Sequence, residues 1–453
     1  MHPILLLRVL WLREVLRRRD RWTRAQLETH QSQELRSLRE FAYAHSPFYK
    51  RFHKNLTDAP LDRLPVLTKS EMMAHFDEVV TDRAVRLTEV ETFLKGPHNL
   101  ERFLGRFWVS ATSGSTGQRG IFVSNLAEWT SILASYARTY EWAGVHAGLT
   151  HRTTMAIVSS RTPWHQSARV GASVSSPFTP TLRLDATDSL EKNVGLLNTF
   201  APEVLVLYAS MGRELANEQI AGRLQISPRA VFTASEVLTD ETRQRIVQAW
   251  GSQPFNVYAA TETAGIASEC TQHAGMHLYE DLVITEVVDD HNRPVPPGEY
   301  GEKVLVTVLF SRTQPLIRYE MSDSIRLATH ECPSNKPFKL IDGVQGRHEE
   351  VLYLPALAGG SLGVHPNVFH QVMERIEVGA WQIVQEAQGL NVLITNPSVD
   401  FNEGSLVAAL RNALEAQGIA APQLNVQRVS SIAKTSMGKA PLIKSNLIAK
   451  GTR

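Results

Sequence analysis

A chain of 453 residues is longer than one ordinary hydrophobic core supports, so two or three domains are expected. Its 43% hydrophobic and 21% charged residues fit a soluble globular protein, and 47 basic against 46 acidic side chains leave no global field to draw it to nucleic acid. Two cysteines exclude a disulfide scaffold and fit a reducing compartment, here read as the cytoplasm.

The chain opens on an apolar run from Ile4 to Leu12, interrupted by Arg8 and followed by Arg13 and Arg17-Arg18-Arg19. It is shorter than the roughly 20 residues a spanning helix needs, and its charge follows the apolar part, unlike a signal peptide. Such a basic helix can lie on an anionic membrane. Docking on the body of the protein is the preferred reading, and peripheral membrane contact is not favoured.

Residues 4 to 45 read as two helices, and Pro47 stops the second. In Leu64-Pro65-Val66-Leu67-Thr68-Lys69-Ser70-Glu71, Thr68 is a helix cap with Glu71 three residues on. The stretch VSATSGSTGQRGIFVSN, 109 to 125, reads as strand, polar loop, strand. Its Ser113-Gly114-Ser115-Thr116-Gly117 offers backbone N–H groups and hydroxyls that can wrap a phosphate chain. No Gly-Lys-Ser/Thr follows, so it is not a Walker loop. A helix is expected over 126–142. Strands at 155–158, 204–208, 230–233 and 255–258 then alternate with helices at 188–199 and 239–250. Such alternation implies a parallel sheet in an α/β core, with ligands at the carboxyl ends of the strands.

From 281 to 327 the chain turns β-rich around a proline-stiffened turn, Arg293 to Glu299. Past Gly346 a small α+β unit is expected, with helices at 366–376 and 403–417 and strands at 381–386, 390–395 and 424–429.

Four clusters join the glycine loop. Tyr258 and Thr261-Glu262 lie at a strand end, where Glu suits Mg²⁺ and Tyr offers a flat face to a base. Asp323 closes an apolar run and can bind ribose hydroxyls. Gly346-Arg347 stands at the boundary with the small unit, and Gly438-Lys439 forms a tight turn near the C-terminus.

In order and content these clusters resemble the adenylate-forming superfamily of acyl-CoA synthetases, luciferases and adenylation domains. The likeness is greatest to the phenylacetate-CoA ligase and coenzyme-F synthetase-like branch. His45-Ser46-Pro47-Phe48-Tyr49, Leu64 to Lys69, Glu269-Cys270 with His277 and Glu280-Asp281, and Pro315 to Tyr319 carry the branch likeness. The resemblance implies a large α/β domain with parallel sheets and a β-rich subdomain, and a small mobile C-terminal α+β domain. Its divisions here are a helical segment at 1–60, an ATP- and acid-binding domain at 61–346, and a domain at 347–453 carrying the catalytic lysine.

Roles follow residue by residue from the resemblance. Ser113, Gly114, Ser115, Thr116 and Gly117 hold the ATP phosphates, and Ser235, Glu236 and Tyr258 line the adenine. Thr261 touches phosphate, Glu262 holds Mg²⁺, Asp323 binds ribose and Arg347 reaches the nucleotide at the hinge. Lys439 bridges the acid and the α-phosphate. Trp164, His165 and Tyr208 resemble the lining of the acid pocket, although Trp164 equally suits core packing and His165 is more often a hydrogen-bonded structural residue than a catalyst. Arg119 replaces the usual lysine after the loop, Glu320-Met321-Ser322 precedes the ribose acid, and Glu349-Glu350 replaces a shorter acidic pair.

The implied reaction joins an acid, aromatic by branch resemblance, to AMP with release of pyrophosphate, then passes it to a thiol such as CoA or to an amine. Activation of a small inorganic acid such as nitrite, and a catalytically weak adenylate-binding protein, are the alternatives. The branch also implies structural zinc near Cys270, His277 and Cys332, but Ser334 stands where a further cysteine is expected, so a tight zinc site is not expected.

Overall fold

The computed structural model describes residues 3–96, 101–112, 119–146, 151–347, 352–364, 366–373, 375–376, 378–433 and 440–447. Helices α1 (Pro3–Arg19) and α2 (Arg24–His45) lead the chain, the second opened by a capping box between Thr23 and Gln26. Pro47 both stops α2 and opens α3 (Pro47–Phe52), where its missing N–H costs nothing. Thr68 caps α4 (Lys69–Ala74) by accepting the Glu71 N–H, as the spacing predicts. Short α5 (Phe76–Val79) and α6 (Leu87–Lys95) complete this helical entry.

Strands β1 (Trp108–Ala111) and β2 (Ile121–Ser124) pair as an antiparallel hairpin, followed by α7 (Leu126–Trp142). The alternating stretch runs β3 (Met155–Ser159), α8 (Gln166–Val174), β4 (Thr181–Asp185), α9 (Leu190–Phe200), β5 (Val204–Tyr208), α10 (Ala209–Ile220), β6 (Ala230–Ala234), α11 (Asp240–Trp250) and β7 (Phe255–Ala260). The β-rich part supplies β8 (Ala264–Glu269), β9 (Met276–Leu278), β10 (Val283–Val288), β11 (Lys303–Val308), β12 (Tyr319–Met321), β13 (Asp323–Leu327) and β14 (Leu340–Arg347). The C-terminal part contains β15 (Leu352–Pro355), β16 (Ser361–Val364), α12 (Pro366–Met373), β17 (Ala380–Glu386), β18 (Gly389–Thr395), α13 (Glu403–Glu415), β19 (Gln423–Arg428) and β20 (Ile443–Ser445).

The main sheet has nine strands in the order β13-β14-β9-β8-β7-β6-β5-β3-β4. Strands β4, β3, β5, β6 and β7 are parallel, as the alternation predicts, but β8, β9, β14 and β13 continue the sheet antiparallel. Only Thr261, Glu262 and Thr263 separate β7 from β8, too few for a crossover, so the chain must return antiparallel. The metal-binding candidate therefore sits where the sheet changes character. A three-stranded sheet, β10-β11-β12, lies beside it, and β19-β18-β17-β20 forms the C-terminal sheet. That sheet closes its own apolar core with α12 and α13, from Leu352 to Ile443.

Candidate active site

The glycine loop, Ser113 to Gly117, lies outside the described residues, but its stem is fixed. Thr112 N–H donates to Gly120 O at 2.9 Å, and Gly120 N–H donates to Thr112 Oγ1 at 2.8 Å, one step above the last pair of the β1–β2 ladder. Gln314 acts as a third strand for β2. Its Oε1 accepts the Val123 N–H (2.9 Å) and its Nε2 donates to Ile121 O (3.0 Å). Glu128 in α7 accepts the N–H groups of Asn125, Arg312 and Thr313, tying the same stem to the 312–316 turn. Burial holds its carboxyl above the usual range in spite of these bonds.

At the end of β7, Thr261-Glu262-Thr263 forms a tight turn. Gln166 Nε2, itself held through Oε1 by the Tyr136 hydroxyl (3.0 Å), donates to Thr261 O at 3.1 Å. Ala264 leaves the turn at φ 66°, a left-handed conformation costing a non-glycine residue about 1–2 kcal/mol. Gly265 follows because a Cβ there would stand 2.7 Å from the buried Tyr279 ring. The strain is held in place by the buried packing around it, which aims the turn. Thr261 and Glu262 line a cavity with Ser110, Ser124 and Gln166. Its oxygen donors are the type that Mg²⁺ takes.

Three nucleotide candidates far apart in sequence meet. The Tyr258 hydroxyl donates to Asp323 Oδ2 at 2.9 Å, and Asp323 opens β13 directly opposite Arg347 of β14. The description of Arg347 extends to its backbone only. Ser235, just past β6, also adopts a left-handed conformation (φ 68°). The next residue, Glu236, accepts the Ser210 N–H at the start of α10 on Oε2 (2.8 Å) and the Ala440 N–H on Oε1 (3.3 Å). Its carboxylate thus joins the parallel sheet to the residue after Lys439, which itself lies outside the described residues. Arg213 of α10 adds a bond to Val378 O at 2.7 Å beside this junction.

The acid-pocket candidates cluster past β3. Arg119 places its guanidinium 5.2 Å from the Trp164 ring centre, linking the loop exit to this aromatic side chain. His165 Nδ1 lies 2.7 Å from Ser160 Oγ, and Ser160 N–H donates to the Tyr208 hydroxyl (2.9 Å). Both rings are buried, and burial raises the Tyr208 phenol above its ordinary range. His165 and Tyr208 thereby hold the strand-end loop in shape.

Cys270, His277 and Cys332 are buried with their ligand atoms within 4.8 Å of one another, and the two sulfurs are 3.7 Å apart. Burial first, then the Lys336 charge, pushes His277 down to about 4, so its imidazole is neutral. The Ser334 hydroxyl lies 3.2 Å from His277 Nε2. The donor set offers zinc three ligands of the right kind, with a neutral hydroxyl beside them where a cysteine would be a fourth. We expect zinc to be lost to mild chelation from this chain and to be retained stoichiometrically by Ser334→Cys. Metal analysis of the two purified proteins checks this, and stoichiometric zinc in the parent refutes it.

No protein-family model matches the chain. The phenylacetate-coenzyme A ligase of Thermus thermophilus is 24% identical over 387 residues, covering 81% of this chain and 80% of that relative. The enzyme of the same name from Escherichia coli is 24% identical over 356 residues, 73% of each chain. In fold, the chain matches 2-hydroxyisobutyryl-CoA ligase in its postadenylation state, in complex with R3-HIB-AMP. The TM-score is 0.74 at 19% identity, over 95% of this chain and 91% of that one. The same ligase in its thioesterification state gives 0.59. In sequence the chain is similar to phenylacetate-coenzyme A ligases, and in fold to a CoA ligase that forms an adenylate, findings that support the adenylate-forming superfamily and its phenylacetate-CoA ligase branch.

The stretches at 45–49, 64–69 and 315–319 prove to be scaffold. The Tyr49 hydroxyl donates to Pro315 O (2.8 Å) and accepts the Ile317 N–H (3.2 Å), while Leu67 exchanges backbone bonds with Arg318 and Glu320. Three separate motifs therefore build one junction beneath the β2 edge. Sequence reasoning did not single out Gln166, Gln314 or Glu128. Each is a lone polar residue whose role depends on a partner distant in the chain, so no local spacing marks it.

Proposed function

We propose that the protein activates a carboxylic acid with ATP, forming an acyl-adenylate and pyrophosphate, and then passes the acyl group to CoA. The convergence of Tyr258, Asp323 and the Arg347 strand position beside the Thr261–Glu262 turn carries this reading. It brings the base-facing ring and the ribose acid together at the end of the strand that carries the metal candidate. The sequence relatives named as phenylacetate-coenzyme A ligases support it. On this reading Ser113 to Gly117 hold the phosphates, Ser235 and Glu236 border the adenine, and Arg347 closes over the nucleotide. Glu262 would hold Mg²⁺, which supplies charge neutralisation on the phosphates. The small unit from 347 to 453 brings Lys439 to the acid.

Trp164, with His165 and Tyr208 behind it, gives the acid pocket an aromatic wall, and an aromatic acid is the substrate class proposed. Two unbonded cysteines suit the cytoplasm. Pyrophosphate exchange across a panel of aromatic, aliphatic and inorganic acids tests the reading. Aromatic acids are expected to support exchange, and silence across the panel refutes adenylation of these acids. Glu262→Gln keeps shape and removes charge. It is expected to slow exchange at saturating Mg²⁺ by at least the ~10–100-fold that loss of an outer-shell partner costs. An unchanged rate removes Glu262 from the metal site.

A further inference from the structure

Helix α1 has two apolar faces, and the body of the protein uses one. Leu5, Val9 and Leu16 are buried, the first two against Trp129, Ile132 and Leu133 of α7, with Leu12 on the same stripe. The opposite stripe holds Ile4, Leu7 and Trp11, spaced i, i+3 and i+7 on one helical face. These side chains remain 55%, 67% and 68% exposed, and Leu10 at their flank 39%. Solvent exposure of four large apolar side chains on two helical turns is unfavourable and marks a contact surface.

The charges around this stripe identify what it contacts. Arg8 is exposed beside it and makes no ion pair among the described residues. Arg17, which also pairs with Glu141 of α7, and Arg18 follow about two turns after Trp11, with side chains 46% and 77% exposed. The one acid on α1 is Glu14, already shared by Arg17 and Arg18. A second copy of this face would return that single carboxylate against a row of arginines. A sheet of lipid phosphates answers all of them, while the acyl boundary takes the leucines and the indole of Trp11. No helix among the described residues is long and apolar enough to cross a membrane, so the contact is one of lying on the surface.

We propose that the outer face of α1 docks the protein on an anionic bilayer surface, with Ile4, Leu7 and Trp11 inserted and Arg8 and Arg18 on the phosphates. The docked stripe satisfies the packing that the sequence predicts, and the second stripe is visible only once the first is covered.

Sedimentation of the full chain with vesicles tests this. Vesicles of equal parts phosphatidylglycerol and phosphatidylcholine are expected to bind it, with binding falling as salt rises. Vesicles of phosphatidylcholine alone are expected to bind at least several-fold more weakly. Trp11→Glu is expected to lower binding to the anionic vesicles roughly tenfold or more, because burial of one large apolar side chain is worth about that factor or greater. Its thermal melting is expected to match the parent, since the side chain is exposed. Equal binding to both vesicle types, no binding to either, or unchanged binding by Trp11→Glu overturns the proposal. A dimer in solution dispersed by Trp11→Glu assigns the face to a second copy and overturns it as well.

Discussion

Lys439→Ala is expected to lower acid-dependent pyrophosphate exchange by about 10²–10³-fold, the usual loss when one preorganised charge-stabilising contact is removed. ATP binding is expected to change little. Negative charge gathers on the α-phosphate as the acid oxygen attacks, and lysine meets it as a compact point charge on a long stem. The preceding Gly438 allows a tight turn. Both residues lie outside the described ones, but their neighbour Ala440 donates its N–H to Glu236, which also caps α10. Ala440 is thereby tied to the end of β6. The second half-reaction, started from supplied acyl-adenylate, is expected to survive in Lys439→Ala because the cation serves only the first step. Parent-rate exchange in Lys439→Ala, or its loss in Lys434→Ala instead, assigns the catalytic cation elsewhere.

The candidate nucleotide residues were legible because they sit at strand ends that alternation locates. Thr68, the 126–142 helix and the strands at 204–208 and 230–233 follow from local capping and apolar runs, and the structure places them accordingly. Helix α10 was not legible. It begins directly after β5 with no capping side chain of its own, and Glu236, 26 residues on, supplies the bond to Ser210 N–H. The antiparallel half of the main sheet was hidden for a similar reason. Strand β9 has three residues, and β13 pairs β14 through two register shifts, so neither shows a sustained period of two. Edge strand β4, TLRLD, is only five residues long and was not singled out. The acids Glu280 and Asp281 read from sequence only as branch markers. Their partners, Arg24 and Arg138, come from α2 and α7.

Arg138→Met is expected to destabilise the large α/β part by about 3–5 kcal/mol at neutral pH, the cost of leaving one member of a buried ion pair alone. Arg138 and Asp281 are each 2% exposed and meet fork to fork, Nη1 to Oδ1 at 2.7 Å and Nη2 to Oδ2 at 2.9 Å. Asp20 lies 3.3 Å from Arg138 Nε, and the guanidinium stands about 5.3 Å from the Tyr279 and Phe338 ring centres. This one side chain joins α7, the end of α1 and the β9–β10 turn. Burial alone would raise the Asp281 carboxyl, but the charges and hydrogen bonds of Arg138 and then Arg19 outweigh it and hold the group below its usual range. A depressed folded value means stability that is present above the unfolded carboxylate value and lost as pH falls through the folded one. Asp20 has the opposite sign, because burial raises it more than Arg138 lowers it, so its ionised form costs stability at neutral pH. In Arg138→Met, Asp281 keeps the burial and loses its nearer cation, with Arg19 still 3.3 Å from Oδ2, and its folded value rises. The destabilisation is therefore expected to shrink as pH is lowered and Asp281 takes a proton. Adding Asp281→Asn removes the underpaired charge and is expected to restore part of the loss at neutral pH, a coupling that a double-mutant cycle reads directly. Urea unfolding of the four proteins at neutral and acid pH measures it. Equal losses at both pH values, or additive losses in the double variant, show that Arg138 acts by packing on its aromatic neighbours and not through Asp281.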